Sequence, residues 1–334
     1  MINNKGIFKT IRLLTAFLAS LSFGSSAATA ADAPAGYPAR PVTIVVPFAP
    51  GGATDIIARL LGEELKKRWG KSIVVENRPG AGGGIGTEYV ARAKGDGYTL
   101  LLGTQTALSV NPTLLKKIGY KVDTDFAPVT LLASTPLVLL ASNQSGLTSV
   151  QDMIKALKAK PEALAYGTSG NGTSQHLTTE MFLGRIGAKA IHVPYKGSGQ
   201  SLTDLAGGQI AFQFDNMSTA LALAKGGRAH ALAVTSAARS EQAPDLPTLA
   251  EAGLTGFEAV TWLGLVAPAD TPAEIVNYLS QEADAVLNTP AIRTRLAAQG
   301  FTPKTSTPAE FRKFIQDETT KFATIIRQNN ISVE

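Results

Sequence analysis

Two glycine-rich turns hold the residues in this chain best suited to chemistry. The first reads Val45-Val46-Pro47-Phe48-Ala49-Pro50-Gly51-Gly52-Ala53-Thr54-Asp55, the second Ala165-Tyr166-Gly167-Thr168-Ser169-Gly170-Asn171-Gly172-Thr173-Ser174-Gln175-His176. Each opens a helix after a buried strand. Glycine lets backbone N–H groups approach a ligand, and a helix N-terminus carries partial positive charge, so each turn can seat an anion. Two seats far apart in sequence suggest two lobes closing on one anionic ligand. Strand-to-helix units also use such turns with nothing bound, and on the turns alone the two readings stand level.

Other chemistries fit less well. Gly80-Ala81-Gly82-Gly83-Gly84-Ile85-Gly86 satisfies G-x-G-x-x-G in no frame and is followed by no Lys-Ser/Thr, so it reads as a turn ahead of the helix bearing Tyr89 and Val90. Ser169 and Ser198 each lack one glycine of G-x-S-x-G. Of the three histidines, His192 and His230 fall within strand patterns, where a hydrogen-bonded structural role is expected. No His/Asp/Glu cluster has metal-ligand spacing, and the absence of cysteine excludes disulfides and thiol chemistry. No cofactor is expected. Asp55, at a helix start, either fixes its turn or meets a donor on the ligand. Asp215-Asn216 ends one apolar strand and Thr104-Gln105-Thr106 another, where open α/β sheets face their ligand crevice.

The elements that must place these residues alternate. Strands are expected at Val42–Val46, Ser72–Glu76, Tyr98–Leu102, Leu137–Ala141, Ala190–Tyr195, Ile210–Phe214, Ala229–Val234 and Trp262–Ala267, with helical patterns between most of them. That is an α/β chain with parallel sheets. Thr271-Pro272-Ala273-Glu274 and Thr307-Pro308-Ala309-Glu310 read as capping boxes, and Thr148-Ser149-Val150-Gln151 as a weaker one. The segments around Pro128–Ala141 and Val260–Ala267 are candidate crossings between lobes.

Residues 1–30 read as a secretory leader: Lys5, Lys9 and Arg12, then the apolar Leu13–Phe23, then Ala28-Thr29-Ala30 as the cleavage site. Cleavage near Ala30 leaves about 304 of the 334 residues, roughly two domains' worth. The formal charge of +5 falls by three, because the leader contains no acid. A chain so near neutral, without a Lys/Arg run, gives no reason to expect nucleic acid. With 44% apolar and 17% charged residues it should form a large core.

Taken in order, Tyr37-Pro38-Ala39-Arg40-Pro41, the Pro47–Asp55 turn, Val75-Glu76-Asn77-Arg78-Pro79-Gly80, Gly95-Asp96-Gly97-Tyr98, the Gly167–His176 turn, His192-Val193-Pro194-Tyr195-Lys196-Gly197, Phe214-Asp215-Asn216 and Asp245-Leu246-Pro247-Thr248-Leu249 resemble the substrate-binding proteins of tripartite tricarboxylate transporters, the Bug receptor family. The resemblance runs over essentially the whole mature chain. It implies a periplasmic, monomeric, non-catalytic receptor of type II flytrap architecture, two-lobed with a mostly parallel sheet in each lobe: residues 31–133 plus 262–334, and residues 134–261. It further implies a small carboxylate as ligand and a membrane permease as partner. The ligand-binding residues carried over are Phe48, Gly51, Gly52, Thr54 and Asp55 from the first turn and Ser169, Asn171, Gly172, Thr173 and Ser174 from the second, with Thr104, Gln105 and Asp215 at positions that vary with ligand. Two other functions stay open: a sensor for a membrane receptor kinase, sharing fold and seat, and a secreted serine hydrolase, which would need a histidine within reach of Ser169, Ser174 or Ser198.

Overall fold

The computed structural model describes residues 33–332, apart from Ala35, Ala49, Gly52, Lys196 and Gln299. The leader at residues 1–30 and Gly52 of the first turn therefore lie outside the described residues. The strands, in chain order, are β1 (Val42–Val46), β2 (Ile73–Asn77), β3 (Thr99–Thr104), β4 (Phe126–Ser142), β5 (Ala165–Thr168), β6 (Ile191–Pro194), β7 (Phe212–Asn216), β8 (Ala229–Val234), β9 (Val260–Pro268) and β10 (Thr302–Pro303). Helices of two turns or more are α1 (Ala53–Trp69), α2 (Gly84–Ala91), α3 (Val150–Ala159), α4 (Ser174–Ile186), α5 (Ser198–Ala206), α6 (Met217–Lys225), α7 (Ala273–Leu287), α8 (Pro290–Ala298) and α9 (Pro308–Gln328).

The strands form two sheets that share β4. In the first sheet β1 pairs in parallel with β2 and β3, and β9 lies antiparallel between β3 and β4. In the second, β5 pairs in parallel with β6 and β7, and β4 takes β7 and β8 antiparallel. The 17 residues of β4 divide at one point: through Pro136 they pair with β9, and from Leu137 they pair with β7. Proline has no N–H to give a ladder, so the handover falls where the chain cannot donate.

Strand direction then decides where the turns go. β3 and β4 both oppose β9, so β1, β2, β3 and β4 run one way, while β5, β6 and β7 run against β4. β4 leaves the first sheet and enters the second. The C-terminal ends of the parallel strands in both sheets therefore point at each other across the Pro136–Leu137 handover. Thr104, at the end of β3, reaches the level of Leu263, which lies opposite Ala133 of β4. Asn216, at the end of β7, lies opposite Leu137. The expected parallel core is present in each lobe. The strands at the junction run antiparallel because a chain that passes between the lobes and returns must cross in both directions. The return is made just before β9, where Ala259 N donates to Thr235 O.

Helices cover both sheets. Val45, Leu101, Trp262 and Val266 pack on Phe311 and Ile315 of α9. Tyr166, Phe212 and Phe214 pack on Met153 and Leu157 of α3 and Phe182 and Ile186 of α4, while Val138, Leu140 and Val234 meet α5 and α6 on the other face. A further apolar cluster joins Leu177 of α4 to Phe322, Ile325 and Ile326 of α9. Gly264 of β9 is held to its size by this packing, since a Cβ there would stand 2.0 Å from the buried Phe311 ring. Gly264→Ala should lower stability by about 1–3 kcal/mol, read as the shift in a urea melt; an unchanged midpoint would mean that the ring can move aside.

The helix starts are mixed against expectation. Thr307 and Glu310 form the full capping box of α9. At α3 the cap falls on Ser149, bonded to Asp152, one residue later than the Thr148 pattern suggests. Thr271 forms no box: its hydroxyl donates to Pro268 O, and Pro272 takes the cap position of α7. The hydroxyl finds a nearer acceptor in the strand end just before it, so the motif is present without its bonds.

Candidate functional site

The first turn joins β1 to α1 and is fastened by a side chain reaching back from the helix. Asp55 accepts hydrogen bonds from Gly51 N (3.0 Å), Asn77 Nδ2 (3.0 Å), Arg59 Nε (3.0 Å) and Arg59 Nη2 (2.9 Å). The Arg59 bonds, then those from Gly51 and Asn77, bring its carboxyl down to about 2 against the cost of burial. Asn77 also donates to Phe48 O, tying the start of the turn to β2. Of the two sequence readings of Asp55, the turn-fixing one describes its bonds. The Gly51 amide is correspondingly occupied within the turn, and Gly51 contributes its left-handed conformation (φ 87°) rather than a free donor. The glycine-rich stretch after β2 packs beneath: a Cβ on Gly86 would come within 2.9 Å of Pro47.

The second turn joins β5 to α4 and is fastened in the same way. Gln175 Oε1 accepts from Ser169 N (2.6 Å), and His176 Nδ1 accepts from Gly172 N (3.1 Å). Thr173 is the helix cap, its hydroxyl accepting from His176 N and donating to Gly170 O. Gly172 has φ 71°, which suits glycine. The amides of Ser169, Gly172 and Thr173, expected to face a ligand, therefore have partners inside the turn. Glycine spacing marks where amides converge but not which are already bonded.

Subtracting the occupied groups leaves a small donor set. Thr54 and Ser174, each in the first turn of its helix, make no side-chain hydrogen bond among the described residues, and neither does the exposed Asn171. The leading N–H groups of a helix have no intrahelical acceptor. Thr54, Ser174 and Asn171, with the amides at the very start of α1 and of α4 ahead of His176, therefore form the unoccupied donors at two helix N-termini that end facing strands. No buried Lys or Arg stands among the described residues. These remaining donors are neutral dipoles, a set that can hold an anion without leaving a fixed countercharge stranded when empty.

Residues 57–331 match the model of the tripartite tricarboxylate transporter family receptor. The chain belongs to this family. It is 40% identical over 312 residues to Protein BugT of Bordetella pertussis (strain Tohama I), covering 93% of this chain and 95% of that protein. A solved R. palustris protein with adipate is 36% identical with a TM-score of 0.78, over 89% of this chain and 99% of that one. MatC from Rhodopseudomonas palustris with bound malate is 32% identical with a TM-score of 0.74, over 87% and 100%.

In this chain the expected site positions beyond the two turns are turned inward. Gln105 Nε2 donates to Val260 O (2.6 Å) and to Glu318 (3.1 Å), and Glu318 also accepts from Trp262 Nε1 (3.0 Å). Thr104 Oγ1 accepts from Ala107 N. Both residues are buried; Gln105 ties the crossing strand β9 to α9, and Thr104 fastens the turn that follows β3. Asp215 is likewise fully buried, accepting from Gln213 Nε2 (2.7 Å), Asn216 N (2.6 Å) and Thr219 Oγ1 (2.6 Å). Burial raises its carboxyl to about 6. Each stands at the strand end where sequence places it, but facing the interior, which position along a strand does not reveal.

The histidines also sort themselves. His176 and His192 stack at 4.0 Å between ring centroids, and Tyr166 lies 4.9 Å from His192 and 6.4 Å from His176. His192 Nε2 bonds Thr168 Oγ1 (2.7 Å), the structural role expected of it. His230 differs from expectation, being exposed on β8. The ring bonds of His176 and His192 go to Gly172 and Thr168, not to Ser169, Ser174 or Ser198. Ser198 instead accepts from Gln175 Nε2 (2.8 Å). Gln175, absent from the sequence-derived site, is the residue that links these groups. Its signal was its place at the second position of the helix, where a long polar side chain can fold back on the turn. Among the described residues no helix is long and apolar enough to cross a membrane.

Proposed function

We propose that this chain is a periplasmic solute-binding receptor that closes two lobes on a small carboxylate and delivers it to a membrane permease of the tripartite tricarboxylate type. The lobes are residues 31–133 with 262–334, and residues 134–261; a leader cleaved near Ala30 directs export, and the receptor acts as a monomer without cofactor or catalysis. The observation that carries this reading is the opposition of two helix N-terminal turns across the β4 handover, each with uncommitted donors and no buried cation. Relatives of closely similar fold were solved with adipate and with malate, which supports a di-acid as ligand. One carboxylate would take the Thr54 end and the other the Ser174 and Asn171 end. Closure removes water from both, which strengthens hydrogen bonds to charged oxygens.

Calorimetric titration with a panel of mono-, di- and tricarboxylates, adipate and malate among them, tests the reading. A ligand in the panel should bind and reduce the radius of gyration in small-angle scattering, because a ligand that bridges two lobes binds the closed form better. Ser174→Ala should weaken that binding by roughly ten- to a hundredfold, the loss of one hydrogen bond to a charged group at about 1.5–3 kcal/mol. Silence across the panel, or wild-type affinity in the variant, would place function elsewhere.

A further inference from the structure

We infer that the first lobe carries a second recognition surface, a basic groove between residues 112–124 and α9 that docks an acidic segment of a partner protein through alternating carboxylate and apolar side chains. The groove has a volume of about 830 Å³ and is lined by the apolar Leu115, Ile118 and Val122 and by Thr319 of α9. Lys116, Lys117 and Lys121 complete its lining, and all three are exposed. None of the three forms an ion pair among the described residues, whereas Lys67, Lys313 and Lys321 each meet a carboxylate. Asp123 is the one acid in the lining. Three unpaired ammonium groups around an apolar concavity are complementary to carboxylates that stand beside apolar side chains. Pro112 is shared with a second concavity of about 550 Å³, beside Ile326, Arg327 and Ile331. That length suits an extended segment rather than a single small anion. In an extended chain alternate side chains point to opposite sides, so apolar residues can enter the groove while acidic ones meet the flexible lysine stems.

The groove is fastened before any partner arrives. Tyr120 donates to Ala107 O (2.6 Å) and packs edge-on against Phe126. Lys121 N donates to Asp125 Oδ2 (2.7 Å), and Leu115 N to Asn111 O (3.0 Å). Gly119 lets the chain pass Glu88 of α2, since a Cβ there would run into that carboxyl. A preformed groove loses little freedom on binding, and its lysines are left to select and steer the partner. None of its lining residues belongs to either glycine-rich turn, so it can be filled whether or not the crevice holds a ligand. A periplasmic segment of the permease proposed above fits this description; that identification rests on the proposed function, and the chemistry of the groove does not.

The probe is an acetylated eight-residue peptide alternating glutamate with leucine, titrated into the isotope-labelled protein and read by NMR. It should shift the amides of Lys116, Lys117, Ile118, Lys121 and Thr319. Binding should weaken about fivefold between roughly 50 and 300 mM salt, because exposed charges are screened. Lys117→Glu combined with Lys121→Glu should weaken it by about tenfold or more, with melting temperature and crevice binding unchanged, since both side chains are exposed and lie outside the two turns. The same peptide with serine in place of leucine should bind about tenfold more weakly, as it keeps the charge and loses the apolar contact. Silence of the leucine peptide, shifts confined to other residues, or indifference to the double charge reversal would overturn the inference. Equal binding of the serine peptide would reduce the groove to a general attraction for negative charge and would also overturn it. Vesicles of three parts zwitterionic to one part anionic phospholipid should not retain the protein; retention that the double variant loses would make the groove a membrane contact instead. A wild-type protein that binds no carboxylate in its crevice would count against the proposed function alone, because the peptide titration needs no crevice ligand.

Discussion

Asp55→Ala should lower stability by about 2–4 kcal/mol and weaken carboxylate binding by about a hundredfold, although Asp55 need not touch the ligand. Its carboxylate is the common acceptor for Gly51 N, Asn77 Nδ2 and both donating nitrogens of Arg59. Removing it strands the Gly51 and Asn77 donors. Arg59, half exposed, recovers much of its loss from water, which keeps the expected cost below that of a fully buried pair. The turn then loses the bond that holds Gly51 in its left-handed conformation, and the leading amides of α1 lose their aim. Because the folded carboxyl lies near 2, below its ordinary value, its contribution is fully present above about pH 4 and fades as the pH falls toward 2. Urea melts and titration of the folded variant check both effects. A variant with wild-type affinity would show that the first turn plays no part in binding.

Acidification from pH 7.5 to 4.5 should destabilise the protein by several kcal/mol through the stacked His176 and His192. Burial holds both rings below the ordinary histidine range, and in His176 the neighbouring His192 adds to it. In the unfolded chain each takes a proton near pH 6.5, so the unfolded state binds more protons as the pH falls. The stability from keeping both rings neutral is therefore complete above about 6.5 and is lost progressively toward about 4. Asp215, raised to about 6, works the other way over the same range and offsets part of the slope. Protonation of His176 at Nδ1 would also end its acceptance from Gly172 N, so binding should weaken together with stability. His192→Phe keeps a ring stacked on Tyr166 and should flatten the profile. Melting temperatures that stay level down to pH 5 in the wild type would show that the pair is not held neutral.

Most of the architecture could be read from the chain because it depends on short-range patterning. The continuous β-branched run Val42–Val46 has to be buried on both faces, and it forms a central parallel strand with the bounds its composition suggests. The glycine-rich turns, the Thr307 box and the apolar crossing at Pro128–Ala141 are likewise written in neighbouring residues. The sequence by itself determined the α/β alternation, the two turns and their following helices, and, through eight ordered motifs, the family. Which polar groups remain free was decided only by the tertiary structure. Gln105 and Asp215 stand at the right strand ends, yet a strand position does not say whether a side chain meets the crevice or a residue from far along the chain. For Gln105 that residue is Glu318, and for the Ser169 turn it is Ser198 working through Gln175. Hydrogen-bond donors are few and directional, so a partner brought in by folding can occupy an amide that sequence would assign to a ligand. The opposition of the two turns is of the same kind: it follows from β4 passing through both sheets in one direction, a pairing that local patterning does not specify.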